Sequence, residues 1–492
     1  MDIDNKKYVM SKLIIPSTQR ALVFQGGVAL GAYEAGVFKG LYDRLYKPDQ
    51  SFFDIVAGTS AGAINAAILV SYVKEHKKWD GSADKLIDFW KHLSSPTPFI
   101  AKSYEYALGE SARRYYSTKH FFYEGANNVF SAPRILPDTR FHDYQPTFNF
   151  KLNVNPNTGF VYSNEWLKQS LEHYYYKDGK KFVKFPLATK YDNGEPRLLV
   201  ISVDVLDGAA VAFDSYSNES KYGRYDEESE QYQEHTIRYE KGIMPIHVMA
   251  SGAFPVYFNF RWVPKDYDYN NAGGEESEEF GFREDSRPFW DGGVLSNTPL
   301  RELISEHKLF WEKRIGDTKL KKDMWKGEEE REEDDSQKVP GLEVFIVNVW
   351  PKRETRIPSD HDEVKDRKND IAYCDKTEYD QKVSVLVSDY IEVIRQMRNF
   401  SLDYIPQNKQ NNFKDKLDEF LERQHAESKN RKGEPRTYEE LLKGRFKITS
   451  VATIERTDDV NDISNKWADF SEDSIIRLIN KGIEDAKRVH IV

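Results

Sequence analysis

Ser60, which stands between Gly58 and Gly62, is the residue of this chain best suited to covalent chemistry. The apolar run at 52–57 before it predicts a buried strand, and the small and aliphatic residues at 63–70 predict a helix. A Gly-x-Ser-x-Gly sequence at a strand-to-helix turn is typical of a nucleophile elbow. The glycines permit the sharp turn because they have no Cβ. We therefore interpret Ser60 as a candidate nucleophile.

A nucleophilic serine also needs hydrogen-bond donors for the oxyanion that forms when it attacks a carbonyl. The glycine-rich stretch 25–31 follows a first predicted strand at 20–25, and backbone N–H groups in such a turn can serve as these donors. A phosphate-binding loop is the rival interpretation. Its spacing matches neither the P-loop nor the full Gly-x-Gly-x-x-Gly pattern, so we rank the oxyanion role above it.

The proton acceptor for the serine has two candidates in the sequence. His247 lies on an apolar stretch, where a histidine is more often a core residue than a base. Asp291 follows two aromatic residues and precedes Gly292 and Gly293, which predicts a tight and partly desolvated turn. Desolvation makes a carboxylate more basic, as a general base requires, although the same residues are also typical of an ordinary Asp-Gly turn.

Composition excludes several other classes of protein. The chain has 492 residues and a formal net charge of −10, with no basic stripe of the kind that binds nucleic acid. The chain has no run of about 18 apolar residues, so no membrane-spanning helix is predicted. The first residues do not have the pattern of a signal peptide. Cys374 is the only cysteine, which excludes an internal disulfide. We expect a cytoplasmic protein, with peripheral membrane contact as an option.

Alternating strands and helices predict an α/β fold whose central sheet is mostly parallel and covered by helices on both faces. The predicted strands, beyond the two already named, lie at 198–205 and 342–349. Helices are predicted at 29–46 and from 470 onward. A further helix at about 370–400 carries an apolar stripe, which we interpret as core packing; its members are Val383, Val387, Tyr390, Ile391, Ile394 and Met397.

Two kinds of insertion interrupt this pattern. The stretch 96–137 is rich in aromatic residues interleaved with basic ones, namely Lys102, Arg113, Arg114 and Lys119. Aromatic and basic residues together favour a lid or a face that touches a membrane surface, while the alternative is that the aromatics pack on the core. The acidic stretches 266–287 and 327–338 are typical of solvated loops.

Four motifs in this order resemble those of the patatin-like phospholipase family. The first is the glycine-rich stretch from Gln25 to Val37, and the second is the serine motif around Ser60. The third is the Ala-Ser-Gly-Ala-Phe-Pro stretch at 250–255. The last is Asp291 with the two glycines after it, followed by Asn297 and Pro299.

The resemblance implies a three-layer patatin-like fold. It implies a catalytic domain over 18–300, with insertions at about 96–137 and 266–287. Residues 301–492 would form an extension that completes the sheet and adds helices.

The resemblance also implies roles for individual residues. Ser60 and Asp291 would form a dyad without histidine, and the backbone of Gly26, Gly27 and Val28 would bind the oxyanion. The chain departs from the family at Val28, which breaks the three-glycine run, and at Leu30, where a basic residue is frequent. Backbone donors survive a change of side chain, so activity is still expected.

The implied function is hydrolysis of carboxylic esters in phospholipids or other acyl lipids through an acyl-enzyme, with no metal or other cofactor. One alternative is an α/β-hydrolase esterase or thioesterase with a Ser-His-Asp triad, in which His425 or His490 would be essential. A second alternative is an inactive protein that keeps the fold as a scaffold. The sequence does not predict the oligomeric state.

Overall fold

Apolar, β-branched runs form the strands of one central sheet in the computed structural model of the chain. The structure describes residues 15–48, 50–131, 162–174, 179–216, 225–226, 231–232, 236–239, 241–255, 257–264, 286–316, 338–429, 435–442, 446–457 and 459–489. The predicted acidic loops therefore lie almost entirely outside the described residues, as does the end of the aromatic insertion.

Thirteen strands occur in the described residues: β1 Thr18–Phe24, β2 Ile55–Thr59, β3 Arg197–Asp204, β4 Ala209–Asp214, β5 Tyr225–Asp226, β6 Gln231–Tyr232, β7 Thr236–Arg238, β8 Arg261–Pro264, β9 Ser286–Asp291, β10 Gly341–Asn348, β11 Gln424–Lys429, β12 Pro435–Thr437 and β13 Ile448–Glu455. The α-helices of the same residues are α1 Gly31–Leu45, α2 Ala61–His76, α3 Ser82–Leu93, α4 Phe99–Leu108, α5 Glu110–Glu124, α6 Glu165–Glu172, α7 Pro245–Ser251, α8 Leu300–Ile315, α9 His361–Tyr373, α10 Glu378–Tyr404, α11 Gln407–Leu421, α12 Tyr438–Leu442 and α13 Glu472–Arg488.

The sheet has the strand order β13-β10-β1-β2-β3-β4-β7, with β9 on β3 and β8 on β9. Its centre is parallel, since β1 pairs with β2 and β2 with β3 in the same direction. Antiparallel pairs join β3 to β4 and to β9. The chain is thus a mixed α/β protein with a mostly parallel central sheet flanked by helices, which confirms the predicted fold class.

Two strands share one edge of β3. Strand β2 pairs with β3 as far as Ile201, and β9 then pairs with β3 from Ser202 onward in the opposite direction. The carboxyl ends of β2 and β9 therefore meet on β3, although more than 200 residues separate them in the chain. This meeting brings Ser60, which follows β2, next to Asp291, which ends β9.

The residues fall into two compact units. The larger contains 20–303, 344–378 and 451–492, and the smaller contains the described part of 1–19 together with 304–343 and 379–450. Of the predicted extension 301–492, residues 301–303, 344–378 and 451–492 belong to the larger unit. All residues that line the candidate site lie in the larger unit.

The prediction of one core-packing helix at 370–400 is wrong in two respects. The structure has two helices there, α9 and α10, which are separated by 374–377. In α10, Ile391 is buried, but Tyr390 and Met397 are 62% and 65% exposed. The stripe is therefore largely not core packing, because helical spacing of apolar residues shows that they share a face and not what covers it.

The aromatic insertion folds into α4 and α5 as far as it is described. Phe99 and Tyr106 are almost fully exposed, whereas Phe121 and Phe130 are buried in the core. Both interpretations of this stretch therefore apply, each to different residues. No helix in the described ranges is both long and apolar enough to cross a membrane.

Arg113 and Arg114, which the sequence grouped with a surface-binding face, are instead buried. Arg113 donates to Glu110 at 2.7 Å and to the Ser471 hydroxyl at 2.8 Å. Arg114 donates to Asp462 at 2.8 Å. Because a buried guanidinium requires such partners, these two residues anchor α5 to the chain near α13.

Helices α1 and α13 pack at very short range through glycines. A Cβ on Gly36 would lie 2.0 Å from the carbonyl oxygen of Ile479, and one on Gly482 would lie 2.2 Å from that of Tyr33. Ile475 and Ile479 of α13 are buried as the predicted apolar stripe requires. This contact is important for the site because α1 begins directly after the glycine-rich turn.

We expect Gly36→Ala to lower the free energy of unfolding by about 1–3 kcal/mol, because the added methyl must displace backbone. This loss opposes the roughly 1 kcal/mol by which alanine favours a helix over glycine. Thermal unfolding measures the effect. Gly252→Ala is the control, since its nearest neighbour would lie 3.8 Å away. An unchanged or raised midpoint in Gly36→Ala would contradict the close contact.

Candidate active site

Ser60 occupies a strained turn between β2 and α2. Its backbone has φ 56° and ψ −122°, in a region that residues other than glycine rarely adopt. A Cβ on Gly58 would lie 2.2 Å from the Gly62 carbonyl oxygen, and one on Gly62 would lie 2.6 Å from the Gln25 carbonyl oxygen. Both glycines are thus required for the strand, the helix and the first loop to close around the serine, as the motif predicts.

The backbone of Ser60 is held in place from α7. The Ser60 N–H donates to the hydroxyl of Ser251 at 2.9 Å, and that hydroxyl donates in turn to the carbonyl of Ile201. The Ser60 carbonyl accepts the N–H of Ala63 at 3.0 Å at the start of α2. Ser251 therefore connects the elbow to β3 and stabilises its unusual conformation.

Asp291 lies beside Ser60 and is buried, with 2% of its surface exposed. The Ser60 side chain lies close enough to the Asp291 carboxylate to lower its pKa. The N–H of Gly293 donates to Asp291 Oδ1 at 2.7 Å. Burial raises the pKa of Asp291 to about 7, and the nearby Ser60 hydroxyl and Gly293 N–H only partly oppose this rise. A carboxylate with such a pKa can both accept a proton and release it near neutral pH.

The glycine-rich turn lies directly against the serine. A Cβ on Gly26 would lie 3.0 Å from the Cβ of Ser60. The Gly26 N–H donates to Asn297 Oδ1 at 3.0 Å, and the Gly26 carbonyl accepts from Trp350 Nε1 at 2.7 Å. The Nδ2 of Asn297 donates to the Tyr373 carbonyl at 2.7 Å. The Gly26 N–H is thus already engaged, and Asn297 is the residue that holds the turn.

Gln25 makes a second connection from the same turn. Its Nε2 donates to the Thr298 hydroxyl at 2.7 Å, and its Oε1 accepts the Val349 N–H at 2.8 Å. One buried side chain therefore links the carboxyl end of β1 to that of β10 and to the segment after Asp291. All three are fixed relative to one another.

Val28 has a left-handed backbone with φ 51°, which is a strained conformation for a β-branched residue. Among the described residues, the N–H groups of Gly27 and Val28 have no hydrogen-bond acceptor. The Leu30 side chain is buried in the core. A leucine there cannot supply the positive charge that a basic residue would, so any oxyanion binding by this turn depends on backbone N–H groups.

Ser60 and Asp291 open onto a cavity of about 710 Å³ in the larger unit. This volume is typical of a ligand-binding pocket. Much of the wall is aromatic or apolar: Val28, Phe254, Pro255, Tyr257, Val294, Trp350, Ala372, Tyr373 and Trp467. Lys365, Lys368, Asn369, Ser464 and Asn465 add polar groups. A long apolar chain bearing one polar region would match these surroundings.

The histidines do not join Ser60 in the described residues. His247 is fully buried, stacks on Tyr239 with ring centroids 4.4 Å apart, and accepts the Met244 N–H at Nδ1. Burial lowers the pKa of His247 to about 3. No histidine is among the described residues that line the cavity. His425 lies in β11 of the smaller unit, and His490 lies outside the described residues.

No group of three or more metal-binding side chains is arranged to hold an ion within the described part of the chain. The expectation that the reaction needs no metal or cofactor stays a prediction.

Sequence reasoning missed several residues of the site, foremost Trp350, Tyr373 and Trp467. Trp350 follows β10, and its position directly after the carboxyl end of a predicted strand was a usable signal, because ligands bind at those ends. Tyr373 and Trp467 carry no comparable signal. Their closeness to Ser60 depends on how distant parts of the chain pack.

A strained serine beside a buried carboxylate, on a mixed α/β fold, defines a candidate serine hydrolase site. The family model for patatin-like phospholipases matches residues 22–304, and this chain belongs to that family. Membership implies a lipid acyl hydrolase at the level of the family. The resemblance of the four motifs is thereby confirmed.

Comparison with solved structures finds VipD from Legionella pneumophila. Its sequence identity to this chain is 14% and the TM-score is 0.26. The match covers 94% of this chain and 67% of VipD. No curated protein sequence matches the chain.

We expect Asn297→Ala to lower ester hydrolysis about tenfold or more, because the glycine-rich turn would lose its support and leave the Gly26 N–H unpaired. The effect should appear mainly in kcat, which steady-state kinetics measures. Asn465→Ala is the control, since this asparagine lines the same cavity. Equal losses in both variants would show that Asn297 has no special role in holding the turn.

Proposed function

We propose that this protein hydrolyses carboxylic esters of phospholipids or other acyl lipids, with Ser60 as nucleophile and Asp291 as its general base. The observation that carries the proposal is the placement of the strained Ser60 beside a buried carboxylate whose pKa is raised to about 7, both on the wall of one cavity. The cavity beside this pair, whose wall is in large part aromatic or apolar, supports an acyl lipid as substrate. Family membership supports the same reaction class.

The reaction proceeds in two acyl transfers. Asp291 accepts the hydroxyl proton while Ser60 Oγ attacks the ester carbonyl carbon, forming a tetrahedral oxyanion. The intermediate collapses, the bond from carbon to the leaving alcohol breaks, and the proton on Asp291 passes to that alcohol. Water then attacks the acyl-enzyme with its proton going to Asp291, and collapse returns that proton to Ser60 and releases the fatty acid.

The oxyanion is bound by the backbone N–H groups of Gly27 and Val28. The Gly26 N–H, which the resemblance also implicates, is occupied by Asn297, so it contributes by holding the turn rather than as a donor. A preorganised donor of this kind is worth about 3 kcal/mol in the transition state. The left-handed conformation of Val28 is consistent with strain that keeps these N–H groups directed at the cavity.

Membrane contact through the aromatic insertion is part of the proposal, in narrower form. Phe99, Ile100 and Tyr106 are exposed on α4, and Tyr123 is exposed on α5. Lys102 is also exposed on α4, where its Nζ lies 3.8 Å from Asp473 Oδ2. These residues support peripheral docking of a lipid surface, whereas the buried Arg113 and Arg114 do not take part.

The dyad is tested by labelling with a fluorophosphonate probe. The probe should modify Ser60, and Ser60→Ala should abolish both labelling and hydrolysis. We expect Asp291→Asn to lower kcat about 10³-fold, because the amide cannot accept the proton. The matched controls are His247→Leu and His425→Gln, with folding checked by circular dichroism. Loss of labelling in a folded histidine variant would favour the Ser-His-Asp alternative.

The pH dependence of kcat/KM follows from the raised pKa of Asp291. Only the ionised carboxylate can accept the serine proton, and its fraction rises as the pH passes about 7. We therefore expect kcat/KM to increase through neutral pH and then level off. Rates with a soluble ester from about pH 5 to 9 measure this profile. A profile that is flat across this range would contradict the role of Asp291.

A further inference from the structure

Two lysines of helix α9 line the catalytic cavity. Lys365 and Lys368 are both exposed. Among the described residues, neither of their side chains forms a salt bridge or a hydrogen bond. Asp291 is the only carboxylate among the described residues that line the cavity. Two positive charges that line a cavity and have no neutralising partner favour the binding of a ligand with a negative group.

The acidic residues of the same helix have partners other than these lysines, and Glu363 accepts the Ser359 N–H at 2.6 Å. Asp366 and Asp370 are buried and pair with Lys466 at 3.0 Å and 2.8 Å. Asp362 accepts the Ser464 N–H at 3.0 Å. The carboxylates of Asp362, Asp366 and Asp370 are thus occupied by partners other than these lysines.

The spacing along α9 relates the lysines to the reacting serine. Lys365, Lys368, Asn369, Ala372 and Tyr373 recur at helical intervals on one face, which lines the cavity. The carbonyl of Tyr373 binds Asn297, the residue that holds the turn beside Ser60. Lys368 precedes Tyr373 by five residues, or about 7.5 Å along a helix. Flexible lysine side chains can therefore reach a group attached a few bonds from the ester.

We propose that Lys365 and Lys368 form a phosphate subsite, through which this chain selects glycerophospholipids over neutral glycerides. The inference rests on the proposed function. In a phospholipid the short glycerol backbone joins the acyl ester to a phosphodiester, so both can be bound at once. Lysine binds phosphate as a mobile point charge, which suits an open cavity wall. The acyl chain then lies along the aromatic side of the cavity.

The test compares two substrates with identical acyl chains, diacyl phosphatidylcholine and diacylglycerol, each in micelles of a neutral detergent. For Lys365→Gln/Lys368→Gln we expect the KM for phosphatidylcholine to rise about tenfold with little change in kcat, because the phosphate is bound equally before and during reaction. The KM for diacylglycerol should change less than about twofold. Added salt should weaken phosphatidylcholine hydrolysis in the natural chain and not in the variant.

The control is Lys47→Gln/Lys78→Gln, which removes the same charge from exposed positions outside the cavity. It should behave like the natural chain. Glycerophosphocholine and inorganic phosphate, added as inhibitors, distinguish a lipid headgroup from free phosphate. Inhibition by glycerophosphocholine that the double substitution removes supports the headgroup subsite. Inhibition by inorganic phosphate alone would overturn it.

Failure of the subsite and failure of the proposed function give different results. If the double substitution leaves the hydrolysis of both substrates unchanged, or slows both equally, the lysines do not bind the phosphate. Ester hydrolysis by Ser60 is not affected by that result. If Ser60→Ala retains the activity of the natural chain, or the natural chain hydrolyses neither ester, the proposed function itself fails.

Discussion

The site depends on one constraint, which is that strands β2 and β9 end against each other on the same edge of β3. Because they run in opposite directions, their carboxyl ends meet between Ile201 and Ser202, and Ser60 and Asp291 lie beside that junction. A Cβ on Gly292 would lie 2.4 Å from the Ile201 carbonyl oxygen, so the chain after Asp291 also requires a glycine to fit there. The same packing removes water from the carboxylate and thereby raises its pKa.

A second layer of contacts keeps the glycine-rich turn in register with this junction. Asn297 and Gln25 are buried or partly buried amides, and each joins the turn to segments distant in the chain. Each amide can donate and accept at once, so a single side chain satisfies several backbone groups that would otherwise be costly to bury. Helix α9 enters the site through Tyr373, and its buried acids pair with Lys466, which connects the cavity wall to the chain before α13.

Some local predictions failed for a common reason. Arg113 and Arg114 were expected at the surface because charged residues are usually exposed. They are buried because Glu110 of the same helix and the distant Asp462 pair with them. The apolar stripe of α10 was predicted to pack in the core, yet Tyr390 and Met397 are exposed. In both cases a pattern along the chain specifies which residues lie together, while the partners that decide burial come from elsewhere in the sequence.

The sequence by itself determined the fold class, the elbow around Ser60 and the turn at Asp291, because each rests on local physics: strand and helix periodicity, and glycines where no Cβ fits. It left open whether Asp291 or a histidine lies beside Ser60. Only the tertiary structure placed Asp291 against the serine, engaged the Gly26 N–H with Asn297, and added Trp350, Tyr373 and the lysines of α9 to the cavity. These contacts join residues far apart in the chain, and a spacing pattern carries no information about such distances.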